Sequence, residues 1–120
     1  MTTRRAPGSL EREVLRRLWD ASGPLTSRDL RESFSPATRP ALTTMLTVLS
    51  RLEAKELVGR ADAIGRATFT ATRPEAEQVA GNMNSLLQRV TDREAVLARF
   101  AGSLDEHDTA ALRRALSARD

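Results

Sequence analysis

Residues 41–52 read Ala-Leu-Thr-Thr-Met-Leu-Thr-Val-Leu-Ser-Arg-Leu, and this stretch decides the fold. Wound at about 100° per residue, it predicts an amphipathic helix. The apolar face is expected to hold Leu42, Met45, Leu46, Leu49 and Leu52, and the opposite face Thr43, Thr44, Thr47 and Arg51. Threonine is a weak helix former because β-branching restricts its side chain. Its short hydroxyl and methyl groups suit close approach to a DNA major groove, but a solvated helix that is merely rich in threonine fits this stretch equally well.

Two shorter helices are predicted ahead of this one. The first covers residues 9–19, where apolar residues recur at helical spacing, and the breaker run at 20–24 stops it. The second covers about residues 25–34. Thr26 and Asp29 have the spacing of a capping box at its start.

A β-hairpin is predicted after the threonine-rich helix, which we expect to span residues 40–56 with Pro40 in its first turn. Residues 57–61 read as a short strand, 62–65 as a turn, and 66–72 alternate as a second strand. Helix, helix, turn, helix and hairpin is the order of a winged helix-turn-helix domain. In such a domain the third helix enters the major groove, so this order favours DNA contact.

Three more helices are predicted in residues 74–120. The first ends near residue 90, a capping box at Thr91 opens the second, Gly102 ends it, and residues 103–106 cap the third. These helices have more apolar surface than a tail of this length can bury by itself. It packs either against the winged helix or against a second copy, and the symmetric sites read by small DNA-binding domains favour the copy. The expected dimerisation residues are Met83, Leu86, Leu87, Val90, Val96, Leu97, Phe100, Leu112 and Leu116.

Three parts are thus expected: a flexible basic arm (1–8), a winged-helix DNA-binding domain (9–73) and a helical dimerisation region (74–120). The net charge is +3, but residues 1–73 contain thirteen basic and eight acidic residues, which favours a polyanionic partner for this half. The absence of cysteine excludes disulfides and thiolate metal sites. His107, alone among acidic neighbours, is expected to be a surface residue. We expect a cytoplasmic protein without cofactor, metal or enzymatic activity.

Candidate DNA contacts divide into base readers and phosphate ligands. Thr43, Thr44 and Thr47 are expected at base edges or phosphates. The residues expected near the DNA backbone are Thr38, Arg39, Arg28, Arg51, Arg60 and Arg66. For Arg51 a salt bridge to neighbouring acids, and for Arg28 a simply solvated position, remain alternatives.

The order and spacing of these residues resemble the penicillinase-repressor (BlaI/MecI) family over about residues 9–117. The resemblance is carried by residues 41–52, Leu57-Val58, Leu10-Glu11, Leu18-Trp19, Gly65-Arg66, 92–100 and 111–116. It implies a homodimeric winged-helix repressor that binds inverted repeats in promoters. It also implies a membrane-bound metalloprotease sensor as partner, which triggers cleavage near Arg99–Phe100, where well-studied members have Asn before the Phe. Glu56 replaces a common glycine, so we expect the helix end to differ.

The sequence therefore predicts a dimeric transcriptional repressor that recognises a palindromic promoter operator through a threonine-rich helix and a basic wing. In this prediction, proteolysis near Arg99–Phe100 releases it. Two alternatives stay open: a ligand-gated winged-helix regulator, and a winged-helix protein-interaction module without DNA binding.

Overall fold

The computed structural model describes Arg5 and residues 8–119, and this part of the chain contains six helices and three strands. The helices are α1 (Ser9–Asp20), α2 (Ser27–Glu32), α3 (Leu42–Ala54), α4 (Glu75–Gln88), α5 (Arg93–Ser103) and α6 (Glu106–Ser117). The strands are β1 (Leu25–Thr26), β2 (Val58–Ala63) and β3 (Arg66–Ala71), in one antiparallel sheet of order β1-β3-β2. This arrangement confirms the predicted winged helix. The chain divides into two compact units, residues 1–78 and 79–120.

A single apolar core holds the first unit together. It takes residues from α1, α2, α3 and the two longer strands, because each element is apolar on one face only. Its buried members are Val14, Leu15, Leu18, Leu30, Phe34, Met45, Val48, Leu49, Leu52, Val58 and Phe69. Trp19 packs at the edge of this core, where its indole N–H donates to the Arg73 carbonyl at 3.1 Å. The core therefore fixes α3 between the other helices and the sheet.

The rotation of α3 differs from the prediction. The buried face consists of Met45, Val48, Leu49 and Leu52. Leu42 and Leu46, expected inside, are 49% and 45% exposed, so that part of the prediction is wrong. The apolar residues of α3 span roughly 160° from Val48 to Leu46 at 100° per residue, which is more than the core covers. The core that α3 shares with α1, α2 and β2 covers the Val48 side, and the two leucines are left exposed.

The short strand β1 was not predicted. Leu25 pairs with Phe69 and Thr26 with Thr68, which adds a third strand to the hairpin. α2 consequently begins at Ser27 and is only six residues long. Two residues have no detectable alternation, so the pattern of the sequence could not reveal this strand.

Helix capping follows the prediction at α2 but not at α5. The Thr26 hydroxyl accepts from the Asp29 backbone N–H at 3.0 Å, and the Asp29 carboxylate accepts from the Thr26 backbone N–H at 3.1 Å. This capping box is confirmed. At α5 the cap is Asp92 rather than Thr91, and Gly102 lies inside the helix rather than at its end.

The wing turn and the start of α3 also differ in detail. β2 runs to Ala63, so the predicted four-residue turn contracts to Ile64 and Gly65, with φ of 51° and 73°. This pair of positive φ angles is typical of a tight two-residue hairpin turn. Pro40 precedes α3 instead of lying in its first turn, and its carbonyl accepts from Arg31 Nε at 2.9 Å.

The end of α3 is a Schellman motif in spite of Glu56. The Leu57 N–H donates to the Leu52 carbonyl and the Glu56 N–H to the Glu53 carbonyl, both at 2.9 Å. Glu56 adopts the left-handed conformation, with φ of 61°. The expectation that this helix end would differ from a glycine-terminated one is therefore wrong. Thr72 holds the turn in place, because its N–H donates to the Leu57 carbonyl at 3.1 Å and its hydroxyl to the Glu56 carbonyl at 2.8 Å.

Replacing Glu56 with glycine should stabilise the first unit. A side chain in the left-handed region costs about 1 kcal/mol that glycine does not incur. We expect Glu56→Gly to raise the free energy of unfolding by about that amount in urea melts followed by the fluorescence of Trp19. Glu56→Ala is the matched control, since alanine keeps the Cβ. Equal stabilisation by alanine would contradict the strain at this position.

The capping box should make the free energy of unfolding depend on pH in the acid range. The hydrogen bond from the Thr26 backbone N–H, and then that from its hydroxyl, hold the pKa of Asp29 below its ordinary value of 3.8. A carboxylate with a lowered pKa stabilises the fold above its unfolded-state pKa, and this contribution is lost as the pH falls through the folded-state value. The free-energy difference between the unaltered chain and Asp29→Asn should therefore be larger at about pH 6 than at about pH 2.5. A difference that is the same at both pH values would argue against this role.

Candidate nucleic-acid interface

The outward face of α3 is polar along its centre. The row opposite the buried residues consists of Thr43, Thr47 and Ser50, all exposed. The flanks are Thr44 and Arg51 on one side, and Leu42 and Leu46 on the other. Ser50 was missed by the sequence prediction, although its position seven residues after Thr43 places both on one face. The structure thus gives α3 a continuous strip of short hydroxyl side chains.

The hydroxyl of Thr47 has a defined orientation. It donates to the Thr43 backbone carbonyl at 2.9 Å, one helical turn earlier. Because the hydroxyl hydrogen is used within the helix, the outward oxygen offers only acceptor lone pairs, beside an exposed methyl group. Thr47 can therefore accept a hydrogen bond from a base amino group or pack on a thymine methyl.

Three of the predicted phosphate ligands lie in one cleft beside α3. Arg28 of α2 and the wing residues Arg60 and Arg66 line a space of about 540 Å³, together with Leu46 and the carboxylates of Asp29 and Glu32. Arg28 pairs with Glu32 at 3.1 Å and Arg60 with Asp62 at 3.4 Å. Both pairs are exposed, and exposed pairs contribute little, so either guanidinium can exchange its carboxylate for a phosphate at small cost. We call this space the arginine cleft.

The opposite flank of α3 faces the start of α1. Thr44 and Arg51 line a second, smaller depression there together with Lys55 and Glu11. Lys55 pairs with Glu11 at 3.0 Å. Within the described residues Arg51 forms no salt bridge, and Glu11, which lines the same depression, is paired with Lys55. Its guanidinium is exposed beside the hydroxyl strip.

Thr38 and Arg39 lie in the turn before α3. Thr38 is exposed, and its hydroxyl is 3.0 Å from that of Ser35. Arg39 is half-buried, with Nη2 donating to the Phe34 carbonyl at 3.1 Å, and its Nε is buried without a hydrogen-bond partner in the part of the chain described. The Thr38 carbonyl accepts from Arg5 at 2.6 Å. Of the predicted arm, only Arg5 and Gly8 belong to the described residues.

A separate apolar surface lies in residues 79–119, where no described residue is buried. Seven of the predicted dimerisation residues line one cleft of about 460 Å³: Met83, Leu86, Leu87, Val90, Val96, Leu97 and Phe100. Asn84 is the one polar residue of its lining. Leu112 and Leu116 are 40% and 53% exposed on α6 and do not line this cleft. We call it the apolar cleft.

A sequence profile described as penicillinase repressor matches residues 7–118. The chain belongs to the penicillinase repressor family. Two relatives named transcriptional regulator BlaI, from Mycobacterium tuberculosis strains CDC 1551 / Oshkosh and ATCC 25618 / H37Rv, are each 35% identical over 113 residues, which is 92% of this chain and 82% of the relative. The resemblance inferred from the motifs is confirmed. Members of the family are transcriptional repressors and not enzymes.

In this member of the family the expected cleavage site lies within a helix. The Arg99–Phe100 bond is in the interior of α5, and Phe100 is 41% exposed in the apolar cleft. A protease needs extended backbone, so cutting here requires local unfolding of α5. Cleavage at this bond stays a prediction.

Two further observations concern metals and membranes. In Arg5 and residues 8–119, no three histidine, cysteine, aspartate or glutamate side chains lie close enough together to hold a metal ion. No helix among these residues is both long enough and apolar enough to cross a membrane.

Proposed function

We propose that this protein binds an inverted-repeat promoter operator as a cytoplasmic homodimer. α3 reads base edges in the major groove, and the arginine cleft holds the DNA backbone beside it. The observation that carries this proposal is the exposed hydroxyl strip of Thr43, Thr47 and Ser50 next to a cleft lined by three arginines.

Base reading by α3 follows from the size and chemistry of its outward side chains. Serine and threonine are short, so the helix backbone can approach the floor of the groove, and their hydroxyls pair with several base edges. The fixed hydroxyl of Thr47 limits it to accepting, which favours the amino group of adenine or cytosine. Thr44 and Arg51 extend the same surface toward the DNA backbone on the α1 side.

Phosphate binding by the arginine cleft follows from its charge. Arg28 and Arg60 keep weak carboxylate partners, and Arg66, beside the turn at the tip of the wing, adds a third guanidinium. Guanidinium groups bind phosphate oxygens in a bidentate manner. We assign Thr38 and the half-buried Arg39 to contacts with the DNA backbone near the start of α3.

The homodimer is supported by the apolar cleft. Soluble monomers seldom leave a contiguous apolar patch of this kind in water. A second copy supplies the same apolar side chains, and a two-fold interface of this type matches an operator with inverted repeats. Leu112 and Leu116 would extend this interface on α6.

Release by proteolysis belongs to the same proposal. A cut between Arg99 and Phe100 would separate Phe100 from Val96 and Leu97, which line the apolar cleft together with it. The dimer surface would lose its continuity, and each half-site would be bound by one weakly held domain. A membrane metalloprotease is the proposed partner in this step.

Two substitutions should separate base reading from phosphate binding. Thr47→Ala should weaken selected operators and relax sequence preference, with the salt dependence unchanged. Arg66→Ala should weaken all duplexes alike and reduce the slope of log affinity against log salt by about one per protomer. The unaltered dimer, with about 6–10 phosphate contacts, should lose roughly 10³–10⁵ in affinity between 50 and 200 mM salt.

The measurement is fluorescence anisotropy with the upstream region of the chain's own gene and with a scrambled duplex. Alanine favours helix more than threonine does, so Thr47→Ala should keep α3 intact. Equal and sequence-independent losses in both variants would contradict groove reading by α3. Absence of DNA binding by the unaltered chain would favour the protein-interaction module.

Placing a charge in the apolar cleft should dissociate the dimer. Leu86 is 63% exposed in the single chain, so Leu86→Asp should leave the fold of each chain intact. Burying the carboxylate between copies costs several kcal/mol, and we expect the dissociation constant to rise at least about 100-fold in sedimentation equilibrium. Ile64→Asp, at a fully exposed apolar residue of the wing, is the matched control and should stay dimeric. Dimers of Leu86→Asp as tight as the unaltered ones would place the interface elsewhere.

A further inference from the structure

Two leucines of α3 are without a part in the function proposed above. Leu42 and Leu46 are 49% and 45% exposed, on the same side of the hydroxyl strip. They lie one helical turn apart, about 6 Å along the helix axis. Leu46 also lines the arginine cleft. The two leucines therefore form an apolar edge between the base-reading strip and the residues assigned to phosphate.

The major groove offers one apolar group to such an edge. Thymine carries a methyl group there, whereas the other base edges present mainly hydrogen-bond donors and acceptors. Covering those donors and acceptors with leucine leaves them unpaired, which is unfavourable. Successive base pairs are about 3.4 Å apart, so two leucines about 6 Å apart match methyl groups about two base pairs apart.

We propose that Leu42 and Leu46 bind thymine methyl groups in each operator half-site and so determine part of the sequence preference. The inference rests on the proposed function, in which α3 enters the major groove. The arginine cleft favours DNA as the occupant, because its three guanidinium groups adjoin Leu46 and outnumber its two carboxylates, which leaves it with a net positive charge. Leucine discriminates in two ways. It packs favourably on a methyl group, and it leaves a polar base edge without a hydrogen-bond partner.

Duplexes that contain 2′-deoxyuridine test this proposal, since uracil keeps the hydrogen-bonding edge of thymine and lacks only its methyl group. The unaltered chain first selects a duplex from a randomised library, and each thymine is then replaced in turn. We expect uracil at a contacted position to weaken binding roughly three- to fourfold, the value of one buried methyl group, and to have little effect elsewhere. In Leu42→Ala and Leu46→Ala, thymine and uracil duplexes should bind equally at the positions that each leucine contacts.

The double variant Thr43→Ser and Thr47→Ser tests the competing assignment, because it removes two methyl groups from the hydroxyl strip and keeps both hydroxyls. Its overall affinity is expected to fall, but at the positions that the leucines contact it should still discriminate thymine from uracil. Loss of discrimination here, with the leucine variants unaffected, would assign the methyl contacts to the threonines and overturn the inference. Leu46→Gln keeps helix propensity and should also lose discrimination. It replaces the alanine variant if that variant does not show the cooperative unfolding of a folded protein.

Two outcomes separate this inference from the proposed function. Salt-dependent, sequence-selective binding that is equally tight for every uracil duplex would overturn the leucine contacts and leave the repressor proposal standing. Selection of no preferred duplex at all would refute both.

Discussion

The burial of one face of α3 is the constraint on which the rest of the structure depends. Met45, Leu49 and Leu52 are almost completely inaccessible, so α3 cannot rotate about its axis without opening the core. The hydroxyl strip and the two exposed leucines are therefore held at fixed angles. The polar outward face of α3 is in this sense a consequence of packing, since the core decides which residues of α3 remain outside.

The charges of the first unit show a second regularity. Arg28 and Arg60 have acidic partners within reach, and Lys55 is paired with Glu11. Such exposed pairs add little to stability. These pairs limit the repulsion among the cations in the free protein. Because each pair is weak, a phosphate group can replace its carboxylate at small cost. Acidic residues on a basic surface are thus compatible with binding a polyanion.

The sequence was sufficient to predict the winged-helix order, the Thr26–Asp29 capping box and the apolar residues that line the cleft of the second unit. These features depend on periodicity and local spacing, which a sequence displays directly. The exposure of Leu42 and Leu46 could not be predicted, because the apolar arc of α3 is wider than the face that α1, α2 and the sheet cover. β1 was missed because it pairs through backbone groups over only two residues. The residues that contact DNA remain predictions, since contact depends on a partner that the chain alone does not display.

The left-handed turn at Glu56 has a consequence for motion. It joins the end of α3 to the first residue of the wing, and Thr72 at the far end of β3 bonds to two carbonyls of that turn. The start of β2 and the end of β3, which lie opposite the hairpin turn, are thus both connected to α3. Helix and wing should therefore move as one rigid body. A partner that meets both elements then finds them already oriented, so little conformational entropy is lost on association and little of the contact free energy is consumed by ordering.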